Sequence, residues 1–411
     1  MVILLDAEQN FTCRSCGECC RRNFDILITE AERQRYESAN ASRWFRDSGA
    51  PGGVAALPPF EAAAGGLLRI RKRPDGVCGF LSDDKRCRIH EELGGAAKPL
   101  TCQMFPFSFD AVAGETRVTT SFCCPTVVRN EGRPAADQQR EIETLVRRWN
   151  RDNTPADRSL EWVGGMPLDP ALLDSMRWIF RRLLDLHEPS FSLRRNVRRI
   201  AVLLEDWTRK RVRELGADRF EEYVKLTGEF AATKPSDPPT TQPAIPRFLF
   251  RGFFFSSLVP LVTRASGNSV SSFGLRLRLF RLLLHVHGVG SSFEGIRFGE
   301  GSKKSLDIDA EPFFTPAYHV LRAAIENLGS GRRPVLAELS LAVGHLLVAE
   351  TLFLSRETGE GALPSWIRAI MDAHDVAHAD PGASFGRLLV TLAAPPSALH
   401  LFGARPPTSS A

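Results

Sequence analysis

The sequence has no cysteine in the 287 residues after Cys124, so all nine thiols lie in its first third. That absence excludes a disulfide framework for most of the chain, which must hold together through an ordinary apolar core. A dominant charge sign is also missing. Lys and Arg number 53 against 48 Asp and Glu, and the net +5 is too small at this length to imply nucleic acid. Long uninterrupted apolar runs are absent too. Residues 248–262 (FLFRGFFFSSLVPLV) are shorter than a membrane span and carry Arg251. The stretch Leu336 to Leu354 contains Glu338, His345 and Glu350, which are costly in lipid. Both read as buried helices, so no transmembrane segment is expected. The first eight residues lack a basic region and place Asp6 and Glu8 in their short apolar run, unlike a secretory leader. The expected location is cytoplasmic, where thiols stay reduced and clustered cysteines act as metal or redox ligands.

What is present divides the chain. Residues 1–130 hold the cysteines among short β-like runs and turns. Leu67–Arg71 reads as a strand, and Pro74-Asp75-Gly76 as a turn that delivers Cys78. Phe105–Asp110 and Thr116–Phe122 read as a hairpin that returns Cys102 toward Cys123 and Cys124. Ser48–Gly66, rich in Gly, Ala and Pro, reads as a loop. From about residue 136 the pattern is helical, with Ile142, Leu145, Val146 and Trp149 on one stripe. Asp169-Pro170 supplies a cap and first helical position for the next helix. Helices over Ser190–Leu215 and Asp218–Phe230 follow. Five prolines in 234–246 mark a linker. A second helical region over 247–403 includes Ala317–Leu328, Pro334–Ser355 and Ser365–Ala377, and 404–411 forms a tail. The expected fold is mainly α, with an irregular cysteine-rich metal-binding module (1–130), a helical region over 131–233, and a second beyond the linker.

The chemistry-bearing feature is Cys13-x2-Cys16-x2-Cys19-Cys20. Two residues between cysteines let a tight turn aim both sulfurs at one ion, and Gly17 removes a Cβ where the loop folds tightest. Cys78, Cys87, Cys102 and the pair Cys123-Cys124 follow. Four thiolates fill a tetrahedral zinc site, and four also hold a [4Fe–4S] cluster, so these cysteines suffice for one or two centres. The x2-spaced run with a remote Cys124-Pro125 echoes ferredoxin ligation, with Cys13, Cys16, Cys19 and Cys124 as one set. Zinc remains the alternative. His90, three residues after Cys87, reads as a hydrogen-bond donor behind the ligands or a surface residue.

In these blocks the chain resembles the bacterial zinc- or iron-chelating cysteine-cluster family, CxxCxxCC, to which flagellin lysine-N-methylase is also similar. The resemblance runs over roughly residues 11–125, through Cys78-Gly-Phe-Leu81, Cys87-Arg-Ile-His90, Pro99-x2-Cys102-x2-Phe105-Pro106-Phe107 and Cys124-Pro125. It implies that Cys13, Cys16, Cys19, Cys20, Cys78, Cys87, Cys102 and Cys124 bind the metal. Lys98-Pro99 stands where an Arg-Pro pair is common, Gln103 replaces a frequent Arg, and Cys123 has no assigned role. The methylase branch implies an iron–sulfur protein that modifies lysine with S-adenosylmethionine.

Other signals favour plainer readings. Leu282–Gly290 offers a Gly-rich turn without a following helix, so a doubly wound nucleotide fold is not expected. His374 and His378 at i, i+4 read as a solvated helix end. The arginines between Arg194 and Arg213 read as a solvated, salt-bridged face. The sequence therefore leaves two functions of different class: a metal-dependent protein-modifying enzyme acting on a protein substrate, or a zinc-stabilised interaction module whose helical body recruits a protein partner. Nucleic acid is disfavoured, and no catalytic residue is assigned.

Overall fold

The computed structural model describes residues 3–5, 8–22, 24–45, 58–73, 75–112, 114–152, 159–162, 166–187, 191–208, 215–233, 292–293, 296–297, 306–329, 335–355 and 361–378. The linker at 234–246, the tail at 404–411, the Phe-rich 248–262, the turn at 282–290 and residues 209–214 lie outside them.

The chain is mainly helical, with a cysteine-rich N-terminal module of short elements. Ile3–Leu5 (β1) pairs in parallel with Glu115–Thr120 (β7), which is hairpinned antiparallel to Phe107–Val112 (β6). The hairpin begins at Phe107 rather than Phe105. Leu100–Met104 (α3) is helical, and Pro106 has no N–H for a ladder. Leu27–Ile28 (β3), Phe60–Ala62 (β4) and Leu68–Ile70 (β5) form a second antiparallel sheet in the order β3-β5-β4. β4 corrects the reading of Ser48–Gly66 as loop throughout: Phe60 alternates onto the buried face beside Tyr36 and Phe80. Asn10–Phe11 (β2) pairs with Arg133–Pro134 (β8).

Glu30–Ser38 (α1) starts at a capping box. The Thr29 hydroxyl accepts from the Glu32 amide (3.2 Å) and the Glu32 carboxylate accepts from the Thr29 amide (2.9 Å). Its Tyr36 is fully buried and donates to the Ala97 carbonyl (2.8 Å). Arg88–Leu93 (α2) stops at Gly94. Pro125–Val128 (α4) follows Cys124.

Gln139–Asp152 (α5) lays Ile142 and Val146 against Phe109 and Val118 of the hairpin, a small core of its own. Asp169 caps Pro170–Leu184 (α6), accepting from the Ala171 amide (2.7 Å). Leu193–Thr208 (α7), Ala217–Thr233 (α8), Phe314–Glu326 (α9), Val335–Ser355 (α10) and Ala362–His378 (α11) complete the described helices. α6 to α11 contribute to one core in which Trp207 and Trp366 are fully buried. No described helix is long and apolar enough to cross a membrane.

Arginines of α7 depart from the solvated reading. Arg194 and Arg199 are buried: Arg194 donates to Glu350 (2.9 Å) and to the Leu306 carbonyl (2.9 Å), and Arg199 to Asn196 (2.9 Å). A buried guanidinium must be paired, and Arg194 meets that need by tying α7 to α10, whereas Arg199 bonds within α7. His374 also turns inward, edge-on to Phe122 (5.4 Å) and His345 (5.9 Å).

Candidate metal centre

The opening run folds as an irregular entry, Cys13 to Cys16, with Ser15 at φ +49°, then a single 3-10 turn over Glu18–Arg21. Gly17 caps that turn at φ +72°, and its carbonyl accepts from the Cys20 amide (3.1 Å). A Cβ at Gly17 would stand 2.7 Å from the Lys85 carbonyl oxygen, so the Cys87 turn packs directly on the Cys13–Cys20 loop. The Cys78 amide donates to the Cys20 carbonyl (2.9 Å), pinning the second block to the first. Gly79 leaves room for the Phe45 ring, which a Cβ would meet at 2.0 Å. Cys87 follows a turn closed by Lys85 N–H to Ser82 O (3.0 Å) and pairs across to Leu81. Pro99 starts α3, which carries Cys102.

These contacts bring six sulfurs to one cavity of about 330 Å³: Cys13, Cys19, Cys20, Cys78, Cys87 and Cys102. Its remaining wall is largely apolar, including Phe24, Ile26, Ile70 and Phe80, with His90 and Lys98 also facing it. Cys16 and Cys124 are not on that wall. They are near one another, and Cys16 lies within the field of Cys13 and Cys19. Cys123 is buried outside the cavity, its amide donating to the Ser121 hydroxyl (3.3 Å). The hairpin does return the chain, since the Ser121 amide reaches the Pro106 carbonyl (2.8 Å), but Cys102 opens on the cavity while Cys124 faces Cys16. All nine cysteines are free thiols.

The electrostatics follow from crowding sulfur into an apolar pocket. Cys19 is raised far above the usual thiol range by its hydrogen bond with Cys20 and by burial, the two Sγ atoms standing 4.0 Å apart. Cys20 gains from the bond given by Cys19, yet contact with Cys78 and burial raise it strongly. Burial raises Cys102, against the Lys98 ammonium, which favours its thiolate. Cys87 is raised by burial and eased by the amides of His90 and Ile89 and by Lys98. Burial pushes Cys124 up to about 11, against the amides of Val127 and Thr126. Cys16 is raised by burial too, the Glu18 amide opposing. Without a cation, ionising several of these sulfurs would set like charges side by side in low dielectric.

Such a donor set fits a soft metal. Thiolate sulfur suits zinc and iron–sulfur clusters, and neither carboxylate nor histidine dominates the wall. Among the described residues, no three His, Cys, Asp or Glu side chains stand close enough together to hold one metal ion. The sulfurs therefore ring a space rather than converge on a point. That space exceeds a lone ion's need, since a site for one water takes only about 10–15 Å³ by a comparable measure.

Sequence reasoning missed that Lys98, visible there only as the residue before Pro99, lines the cavity, and it missed the apolar wall, whose residues read singly as ordinary core. It also missed Arg22. That guanidinium is buried and donates to Asp372 of α11 (2.9 Å), with Glu18 at 3.5 Å, joining the cysteine loop to the helical body.

A sulfur-ringed cavity at the head of a helical body defines a cysteine-cluster metal-chelating module. Residues 12–125, under a third of the chain, match the CxxCxxCC family model, "Putative zinc- or iron-chelating domain". Among curated proteins, the chain is 36% identical over 52 residues to the flagellar biosynthetic protein FliU of Salmonella muenchen, covering 13% of this chain and 31% of that protein. It is also 36% identical over 52 residues to the lysine-N-methylases of Salmonella typhimurium and Salmonella choleraesuis, covering 13% of each chain. The match thus spans under a third of any of these relatives. No solved structure matches.

Proposed function

We propose that this protein holds an iron–sulfur centre in the six-thiol cavity and uses the loaded module to methylate lysine on a protein substrate with S-adenosylmethionine. The observation that carries the metal reading is the convergence of six sulfurs, from the 13–20 loop and from Cys78, Cys87 and Cys102, on one cavity. Cys16 and Cys124 complete the expected set from its flank. The cavity's size favours a cluster of several atoms over a single ion. When bound, such a cluster supplies electron transfer or Lewis acidity.

The residues of the chain contribute the rest. The Gly17 turn orients Cys19 and Cys20, the amides of Ile89 and His90 favour the Cys87 thiolate, and the apolar wall shields the inner sulfurs from water while Cys13 stands exposed at the rim. The lysine reading rests on the names of the partial relatives and on the long helical body, which offers surface for a protein substrate. No residue is assigned to the transfer step.

The test is anaerobic purification with metal and sulfide analysis, followed by incubation with labelled S-adenosylmethionine and candidate proteins. The proposal expects iron with acid-labile sulfide, visible absorbance that bleaches on reduction, and label on lysine nitrogen. A colourless protein with stoichiometric zinc and no transfer overturns it.

That second outcome has its own support. Four thiolates at about 2.3 Å from zinc lie about 3.8 Å from one another, and Cys19 and Cys20 are already 4.0 Å apart. A structural zinc module whose helical body binds a protein partner is the reading this spacing favours.

A further inference from the structure

We infer that Lys98 is the resident counter-cation of the sulfur cavity, a positioning residue that sets how strongly the thiols hold a metal. The inference rests on the metal reading above.

Lys98 shares the cavity wall with six cysteines, and its ammonium lies in the field of four of them: Cys102, Cys19, Cys87 and Cys13. It is half-buried, and no carboxylate among the described residues is ion-paired with it. Sulfur is therefore its main company. The other charged groups on the cavity wall, Lys85, Arg86 and Glu91, are exposed, and Arg86 is engaged with Asp84 and Glu91 (3.3 Å each). Solvent screens those charges, whereas Lys98 acts through low dielectric.

Its position is built, not incidental. Lys98 immediately precedes Pro99, where the turn that carries Cys102 begins, and its carbonyl accepts from the Gln103 side chain. Gln103 is held in turn by Arg148 of α5 (2.7 Å). These bonds hold the Lys98 backbone at the cavity wall, from which its ammonium lies in the field of Cys102.

The physical consequence is a matter of sign. Metal uptake by protonated thiols releases protons and leaves a centre whose net charge is about −2, whether a divalent ion or an oxidised [4Fe–4S] core is held by four thiolates. One fixed positive charge beside that centre favours the loaded state, even though it repels the bare cation, because the thiolates outnumber the metal's charge. Removing it leaves an anionic centre in an apolar wall with only screened cations nearby.

The experiment titrates the full-length metal-free protein with Co²⁺ under reducing, anaerobic conditions. Thiolate-to-cobalt charge-transfer absorbance is read for wild type, Lys98→Met, Lys98→Gln and Lys98→Arg. Loss of one charge-assisted contact corresponds to about tenfold or more in affinity. Lys98→Met and Lys98→Gln are expected to bind Co²⁺ at least about tenfold more weakly, with unchanged absorbance per bound ion. Lys98→Arg keeps near-wild-type affinity. If the two neutral variants bind like wild type while wild type binds, this inference fails and the metal reading stands. If absorbance per cobalt falls in them, or Lys98→Arg is equally impaired, Lys98 shapes the site by packing and the charge role is overturned. A wild-type protein that takes up no cobalt removes the metal reading together with this one. Should Lys98→Met fail to fold by circular dichroism, the Gln and Arg pair decides.

Discussion

Gly17→Ala isolates how tightly the metal loop is built. The Gly17 backbone sits at φ +72°, ψ −1°, which costs an L-residue about 1–2 kcal/mol. The new methyl would also stand 2.7 Å from the Lys85 carbonyl oxygen and 3.1 Å from Leu81 Cδ1. A side-chain tip would swing away, but this oxygen belongs to a turn fixed by Lys85 N–H to Ser82 O (3.0 Å) and Ser82 N–H to Arg86 O (2.9 Å). Two closed turns must separate. Adding typical strain for such a contact gives about 2–4 kcal/mol in total. Gly66→Ala is the matched control: φ is +73°, nothing lies within 4 Å of its Cβ, and only the backbone cost of about 1–2 kcal/mol applies. Urea denaturation of metal-free protein, followed by chelator competition on loaded protein, measures both consequences. Gly17→Ala should unfold at lower urea than Gly66→Ala and surrender metal to a weaker chelator. Equal costs for the two variants, or unimpaired metal retention in Gly17→Ala, would refute the packing argument.

Three further outcomes follow from the same geometry. Asp372→Ala leaves Arg22 buried with Glu18 at 3.5 Å in place of the 2.9 Å partner, and should cost about 2–4 kcal/mol in urea denaturation; a change within about 0.5 kcal/mol would mean the pair is dispensable. Cys124, pushed up to about 11 by burial, contributes stability that is complete below its ordinary value near 9 and lost as pH rises through 11. Metal-free protein should therefore lose about 2–3 kcal/mol across that window, a loss that pH-dependent chemical denaturation would reveal and that Cys124→Ser should abolish. Alkylation mapped by mass spectrometry should label Cys13 first in metal-free protein, because it is the exposed thiol. Metal loading should protect the six cavity cysteines and leave the buried Cys123 unchanged, and labelling of Cys123 ahead of Cys13 would contradict the burial order.

Local chemistry explains what was legible beforehand. The Asp169-Pro170 cap, the Ile142–Trp149 stripe and the hairpin around Gly114 are short-range signals, and each appears within a residue or two of its expected place. The hairpin's start moved because a helix ending at Met104 and a proline at 106 claimed residues that looked strand-like. The cavity was only half legible. Spacing flagged the cysteines, but which sulfurs share a wall depends on contacts such as Cys78 N–H to Cys20 O and the Lys85 turn on Gly17. Those contacts join residues tens of positions apart and leave no periodic trace. Arg194 read as solvent-facing for the same reason, since its partner Glu350 declares itself only after folding, and nothing in the sequence pointed from Arg22 to Asp372. His374 looked like a helix-end residue until Phe122 arrived against it.

The distribution of apolar packing explains why a metal matters to this architecture. The helical body owns a broad core, whereas the sheet β3-β5-β4 and α1 close over a small one, built on Ile26, Ile28, Tyr36, Ile70, Phe80 and Ile89. Cys78 belongs to that small core, and Cys20, Cys87 and Cys102 pack against it, so the sulfurs are structural walls as well as donors. Those walls surround a space that no side chain fills. The space opens to solvent past Cys13, Lys85 and Arg86, and a centre bound in it would bond the walls to one another. The module also shares its edge with the body, since Phe122 and Cys124 belong to the larger core and Arg22 reaches α11. Tightening the sulfurs therefore acts on the seam between the module and the helices. For an enzyme, that seam is the route by which the state of the centre reaches a substrate surface. For a scaffold, it is the route by which metal content sets the pose of a partner-binding face. Hydrogen exchange at α11, measured with and without metal, reports on that route in either case.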